Sequence, residues 1–298
     1  MRNAFIEELV LAAEKNPKIA LVVGDLGYGV VETFAQRFPT RFFNSGVAEQ
    51  NMMGFSAGLA SEGFHVFVYS IANFPTFRCA EQIRNDVDYH QLPVTIVAVG
   101  GGLAYGNLGY SHHAIQDMAL MRTMPSMLIA APGDPMEVRA CMRFLVEHPQ
   151  PSYLRLGKAG EACLHKGVPK VAPGQWLQLD AREGDRVTIL STGATLPLAL
   201  EQAKEISGGR CSVYSLPLWG MKDKPKQAEM VGQYERVITM EDHLADGGFG
   251  SWLCESVNGQ DGLPGRILIK ALASSVAGMV GKQTTLHKAA GLMDAINF

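Results

Sequence analysis

The chain has 298 residues, 47% of them hydrophobic and 18% charged, with a net charge of −3 at pH 7. That is ample material for two cored domains, and the near-neutral balance argues against a nucleic-acid or other polyanion partner. Its 5 cysteines are scattered with no C-x-x-C pair, which argues for reduced thiols and against a zinc centre.

Residues 1–16 read as an amphipathic helix closed by Asn16-Pro17, not as a signal peptide. No apolar run is long enough to span a bilayer, so the expectation is a cytoplasmic protein without membrane contact. Ile19–Val23 is a continuous apolar run of strand length, as a buried parallel strand requires. It runs into Gly24-Asp25-Leu26-Gly27, where an aspartate between glycines suits either a ligand loop or a tight turn. After a helix over 31–38, Phe42-Phe43 ends in the small-residue turn Asn44-Ser45-Gly46. This turn delivers Glu49 to the start of a helix rich in glycine and alanine. A helix N-terminus favours an anion, and capping is the plain reading of a lone glutamate there. Yet a carboxylate at the mouth of so apolar a helix is costly to bury without a partner.

The next strand, 65–69, leads to Phe74 and Phe77, which read either as a flat apolar wall or as packing beside Pro75. A helix over 81–87 and a strand over 94–99 follow, then a glycine-rich loop that includes Gly101 and ends in Ser111-His112-His113. A helix over 117–122, a strand over 127–131, a helix through Arg139 and Phe144, and a strand over 152–156 complete the unit. Strands alternating with helices in this way predict a doubly wound parallel sheet. In such sheets ligands bind at the edge where strands end, and Asp25, Glu49, Phe74 and His112 each follow a strand. Periodicity lapses over 161–184, a linker with some short strands. Strands at 186–190, 211–214, 237–240 and 267–271 and a helical tail over 284–297 predict a second α/β domain. Neither a P-loop nor a dinucleotide fingerprint is present.

Four stretches in this order carry a resemblance. They are Val47-Ala48-Glu49-Gln50-Asn51, Glu81-Gln82-Ile83-Arg84, Asp117-Met118-Ala119-Leu120-Met121-Arg122 and Ala131-Pro132-Gly133-Asp134-Pro135. Over nearly its whole length the chain resembles the transketolase family of thiamine diphosphate enzymes. It is most similar to the C-terminal polypeptide of transketolases that are split in two. Deoxyxylulose-phosphate synthase and the beta subunits of 2-oxo-acid dehydrogenases look like the nearest relatives. The resemblance implies an α/β fold of two doubly wound domains. Residues 1–160 would form the parallel-sheet pyrimidine-binding domain, 161–184 a linker, and 185–298 a smaller mixed-sheet transketolase C-terminal domain.

It also implies roles. Glu49 would hold a proton at the aminopyrimidine ring of thiamine diphosphate, beside Asp25, Phe74, Phe77 and Gly101. Which of the two aromatic rings stacks stays open. His112 would exchange a proton with a substrate oxygen, with His113 behind it, and Arg122 and Lys158 would bind a substrate phosphate. Lys158 stands where relatives usually carry arginine, and a lysine holds phosphate as a point charge. Leu108 stands where many transketolases carry an acid that binds a sugar hydroxyl. The family's Gly-Asp-Gly…Asn diphosphate motif is missing, so no metal ligands are assigned to this chain. Diphosphate and Mg2+ would be bound mainly by a separate N-terminal subunit, two of which would join a homodimer of this chain in a heterotetramer. The implied reaction is transfer of a two-carbon ketol unit from a ketose phosphate to an aldose phosphate. The alternatives are an acyloin synthase subunit using pyruvate and a non-catalytic regulatory subunit on the same fold.

Overall fold

The computed structural model describes residues 1–181, 184–206 and 211–296. The strands are β1 (Ile19–Val23), β2 (Phe42–Asn44), β3 (His65–Ile71), β4 (Val94–Val99), β5 (Leu128–Ala130), β6 (Ser152–Leu156), β7 (Leu177–Asp180), β8 (Val187–Ser191), β9 (Cys211–Ser215), β10 (Leu218–Gly220), β11 (Arg236–Leu244) and β12 (Ile267–Leu272). They form a 7-stranded sheet in the order β10-β5-β6-β4-β3-β1-β2 and a 5-stranded sheet in the order β12-β11-β8-β9-β7. Both domains are α/β. The first sheet is parallel except for β10, and the second is parallel except for β7, so it is mixed as expected.

Central strands of the first sheet are buried along their length because helices cover both faces, which is why they read as predominantly apolar runs. Registration sets the site. Val23 lies level with Asn44 on one side and Tyr69 on the other, Ile71 with Val99, and Val99 with Leu156. The turns after β1, β2, β3, β4 and β6 therefore leave one edge together, at the point where the strand order reverses around β1.

Several features depart from the sequence reading. β10, in the second half of the chain, pairs antiparallel with β5 of the first sheet, held by Trp219, which is fully buried and donates to Thr192 Oγ1 at 3.0 Å. The short strand β7, in the linker stretch where short strands were expected, belongs to the second sheet and forms its edge. The terminal helix covers only Gln283–Ala289; Gly291 takes a φ of 72°, and Asn297 lies outside the described residues. The expected helix over 81–87 widens into a π-turn over Ile83–Asp88, where Tyr89 N–H donates to Arg84 O at 3.1 Å. Among the described residues no helix is long and apolar enough to cross a membrane.

His65 shows how tightly the first core is closed. Its Nε2 lies 2.9 Å from Thr95 Oγ1, its Nδ1 has no partner, and burial pushes its pKa down to about 4 from 6.5. The imidazole is therefore neutral in the fold. As pH falls from 6.5 towards 4 the unfolded chain takes up a proton that the fold refuses, so stability falls through that window. His65→Gln is expected to reduce the loss of unfolding free energy between about pH 7 and about pH 4.5 by about 2 kcal/mol, read by urea titration at both pH values.

Candidate functional site

Glu49 is the first residue of the helix Glu49–Ser61 and only 5% exposed. Gly46, at φ 68°, turns the chain from β2 into that helix. No side chain caps the helix start; Glu49 Oε1 instead accepts from Arg78 Nη1 at 2.6 Å. Sequence reading passed over Arg78. The only local signal is its spacing of four from Phe74 on a short helix, which lets the guanidinium lie 4.0 Å above the Phe74 ring. Phe74 in turn meets the His112 ring edge-on, with centroids 5.1 Å apart. Glu49, Arg78, Phe74 and His112 thus form one continuous strip along the sheet edge. Phe77 is 48% exposed and takes no part in these contacts.

The glycine-rich loop after β4 carries His112 to this strip. Gly102 and Ala114 pair backbone to backbone and close its neck. Asn73 Nδ2 donates to Ser111 O at 2.9 Å, and Ser111 Oγ lies 3.0 Å from His112 Nδ1. Partial burial, then the charges of Arg78 and His113, lower the pKa of His112, so the ring is neutral near pH 7. His113 is buried inside the loop. Its Nε2 donates to Gly106 O at 3.3 Å, and its Nδ1 has no partner, so it lies behind His112 and not on the open edge. Gly101 makes room for a neighbour: a Cβ there would stand 2.6 Å from Arg155 Nε.

Asp25 sits at φ 56°, a left-handed conformation that aspartate tolerates. Asn44 bridges it to the Glu49 turn, because Asn44 Oδ1 accepts from the N–H of both Asp25 (3.1 Å) and Gly46 (3.0 Å). Lys158, after β6, holds its Nζ 4.5 Å over the Tyr105 ring, whose centroid is 6.4 Å from that of His112. Arg122 does not join this group. Its side chain is 10% exposed and engaged by Glu255 at 2.7 and 2.9 Å, by Ser251 at 3.3 Å and by Gly247 O, all in the C-terminal domain. The hydrogen bond from Arg122 is the main reason that Glu255 is held at a pKa of about 2. A phosphate at Arg122 would have to displace that carboxylate.

A cleft of about 1180 Å3 lies elsewhere, between the π-turn and residues 120–126. It contains neither Glu49 nor His112, so volume and chemistry disagree, and the chemistry decides. The Glu49 strip is an open edge, as a site shared between two chains would be. A buried carboxylate beside a partly exposed aromatic face fits the pyrimidine end of thiamine diphosphate. Among the described residues no three His, Cys, Asp or Glu side chains are grouped to hold a metal ion.

Comparison with known proteins identifies the family. Residues 1–160 match the transketolase pyrimidine-binding domain, and residues 174–295 the transketolase C-terminal domain. The chain is 33% identical over 279 residues to one of the subunits of the apulose-4-phosphate transketolase of Phocaeicola vulgatus, covering 90% of this chain and 86% of that one. It is 34% identical over 260 residues to 1-deoxy-D-xylulose-5-phosphate synthase of Aquifex aeolicus, covering 85% of this chain and 40% of that one. A split-gene transketolase solved as an inactive β4 tetramer superposes with a TM-score of 0.83 at 33% identity, over 98% of this chain and 93% of that one. The chain belongs to the transketolase family, and within it to the C-terminal subunits of split enzymes.

The Glu49–Arg78 pair is open to measurement. Arg78 is 46% exposed, so solvent screens the pair. A double-mutant cycle with Glu49→Gln and Arg78→Met, read by urea unfolding of the chain without added ligand, is expected to give a coupling of about 1 kcal/mol.

Proposed function

We propose that this chain is the pyrimidine-side subunit of a thiamine diphosphate-dependent transketolase. It moves a two-carbon ketol unit from a ketose phosphate to an aldose phosphate, and does so only with a separate diphosphate-binding subunit. The observation that carries this reading is the strip formed by Glu49, Arg78, Phe74 and His112 on one sheet edge. When bound, the cofactor supplies the electron sink for breaking and making the carbon–carbon bond.

Glu49 holds a proton at the ring nitrogen of the pyrimidine, once Arg78 has yielded the carboxylate. Phe74 offers the flat wall, and its contact with His112 favours it over Phe77. His112, neutral near pH 7, accepts a proton from the substrate hydroxyl that becomes a carbonyl and gives it to the oxygen of the carbonyl that is attacked. Lys158 meets the acceptor's phosphate as a point charge, from its place over Tyr105. Mg2+ and the diphosphate are held by the partner subunit. Val47, Phe55 and Tyr89 are exposed, and Gly54 and Gly58 leave open space on the Glu49 helix. These surfaces are those through which this chain forms a homodimer and meets its partner. The cytoplasm is the compartment that reduced cysteines and sugar phosphates suit.

Similarity to deoxyxylulose-phosphate synthase supports a second reading, an acyloin synthase subunit using pyruvate. Carbon dioxide released from pyruvate by the reconstituted pair would establish it in place of ketol transfer.

Glu49→Ala is expected to lower turnover of the reconstituted pair at least about 100-fold while leaving subunit assembly intact, checked by steady-state kinetics and sedimentation. Calorimetry on the isolated chain is expected to register only weak thiamine diphosphate binding. Tight, Mg2+-dependent binding without the partner would overturn the division of the site between two subunits.

A further inference from the structure

The loop that brings His112 to the site is seated on the C-terminal domain. Asp242, fully buried at the end of β11, reaches across the domain boundary. Its Oδ2 accepts from the N–H of Leu103 at 3.2 Å. Beside it, Gly102 adopts a φ of 65°, and a Cβ there would stand 1.9 Å from the same oxygen. Only glycine lets the loop backbone lie this close to the carboxylate. The other oxygen, Oδ1, accepts from His287 Nε2 at 3.0 Å, and Gln283 Nε2 donates to Oδ2 at 3.4 Å. Burial works against the charge of Asp242, but His287 and Arg155 outweigh it and keep its pKa below the ordinary range.

The same terminal helix supports the loop's far turn. A Cβ on Gly106 would stand 2.5 Å from Leu286 Cδ1 and 2.7 Å from Gly281 O. Gly281 N–H donates to Gly106 O at 3.2 Å, and that carbonyl also receives His113 Nε2 at 3.3 Å. At the neck, Arg155 Nη2 donates to both Ala114 O and Asp242 O at 2.8 Å. By contrast, the contacts of His112 itself are local: Ser111, Phe74 and Tyr105. Asn73 steadies the Ser111 carbonyl at the loop's end, while its start and far turn rest on the C-terminal domain.

We propose that Asp242 and His287 are positioning residues that fasten the His112 loop from the C-terminal domain, and that holding this loop is the part that domain takes in the reaction. The seating stands on contacts alone. Its effect on turnover rests on the reading of His112 given above.

Hydrogen exchange on the full chain, alone and with its partner subunit, tests the seating directly. In His287→Leu the urea midpoint should fall, because a buried carboxylate loses its partner, and the amides of residues 103–113 should be accelerated at least about tenfold more than those of β4. His287→Gln keeps a donor at the reach of Nε2 and should restore protection. Lys288→Ala, exposed on the same helix, should change nothing. In the reconstituted enzyme His287→Leu should lower kcat about tenfold and raise KM for the phosphorylated acceptor by less, since the loop meets Lys158 only through the Tyr105 ring, with Gln again restoring the parent values. Unchanged loop exchange in His287→Leu would overturn the proposal. So would equal acceleration of loop and β4, or Gln behaving as Leu. Faster loop exchange with unchanged kcat would overturn the positioning role. A parent pair inactive towards every ketose and aldose phosphate would defeat the proposed reaction and leave the exchange test standing.

Discussion

A guanidinium buried at the boundary between the two domains orders much of what surrounds it. Arg155, on β6, donates to Asp117 Oδ2 at 2.7 Å, and Asp117 also accepts from Tyr153 at 2.8 Å. Its far nitrogen spans the carbonyls of Ala114 and Asp242, one from each domain. A buried ion pair of this kind adds little net stability over apolar residues of the same shape, whereas stripping one partner costs about 3–5 kcal/mol. What it imposes is arrangement: each donor used points at a fixed acceptor. The neck of the His112 loop, the start of the helix Asp117–Met121 and the end of β11 are all set by that single planar group. Gly101 is the sequence's concession to it, since any side chain there would strike the guanidinium.

Much of the frame was legible in the residues alone. Ile19–Val23 is apolar throughout, and Val94–Val99 apart from Thr95, because both faces of a parallel strand are covered. Small-residue turns after them mark the edge, and residues just beyond them, Glu49, Phe74 and His112, were picked out for that reason. The misses share one cause, which is distance along the chain. Arg78 finds Glu49 across 29 positions, and Arg122 finds Glu255 across 133. No local pattern announces such pairs. An arginine fully engaged by another domain looks, in sequence, the same as one free to bind phosphate. β10 has only 3 residues, too few for any periodicity to register, and its place goes with the burial of Trp219 and its hydrogen bond to Thr192.

The pairing of Glu49 alters how its chemistry is understood. Apolar walls alone would have made its charge expensive, and the sequence offered nothing else. The structure supplies a cation, itself resting on the aromatic ring that flanks the site. Because Arg78 is half-exposed, releasing the carboxylate takes it into water and leaves no second buried charge unpaired. The carboxylate is therefore held ready in the free chain without being locked. In the proposed reaction the incoming ring nitrogen has only to displace a screened ion pair. Departure of Arg78 also uncovers the face of Phe74, so one movement would open both the charge and the wall.

Specificity in the proposed reaction then falls to the rim of the loop. Leu108 is exposed near its tip and has no polar group to offer a sugar hydroxyl. Lys158 keeps a flexible ammonium over an aromatic ring, a contact that orients it without consuming its donors. Such a rim discriminates by charge more than by the stereochemistry of hydroxyl groups, because a point charge tolerates many approaches and a fixed acid does not. Stereochemical selection, where it is needed, has to come from groups that the open edge leaves room for. In the proposed assembly those groups would belong to the second chain.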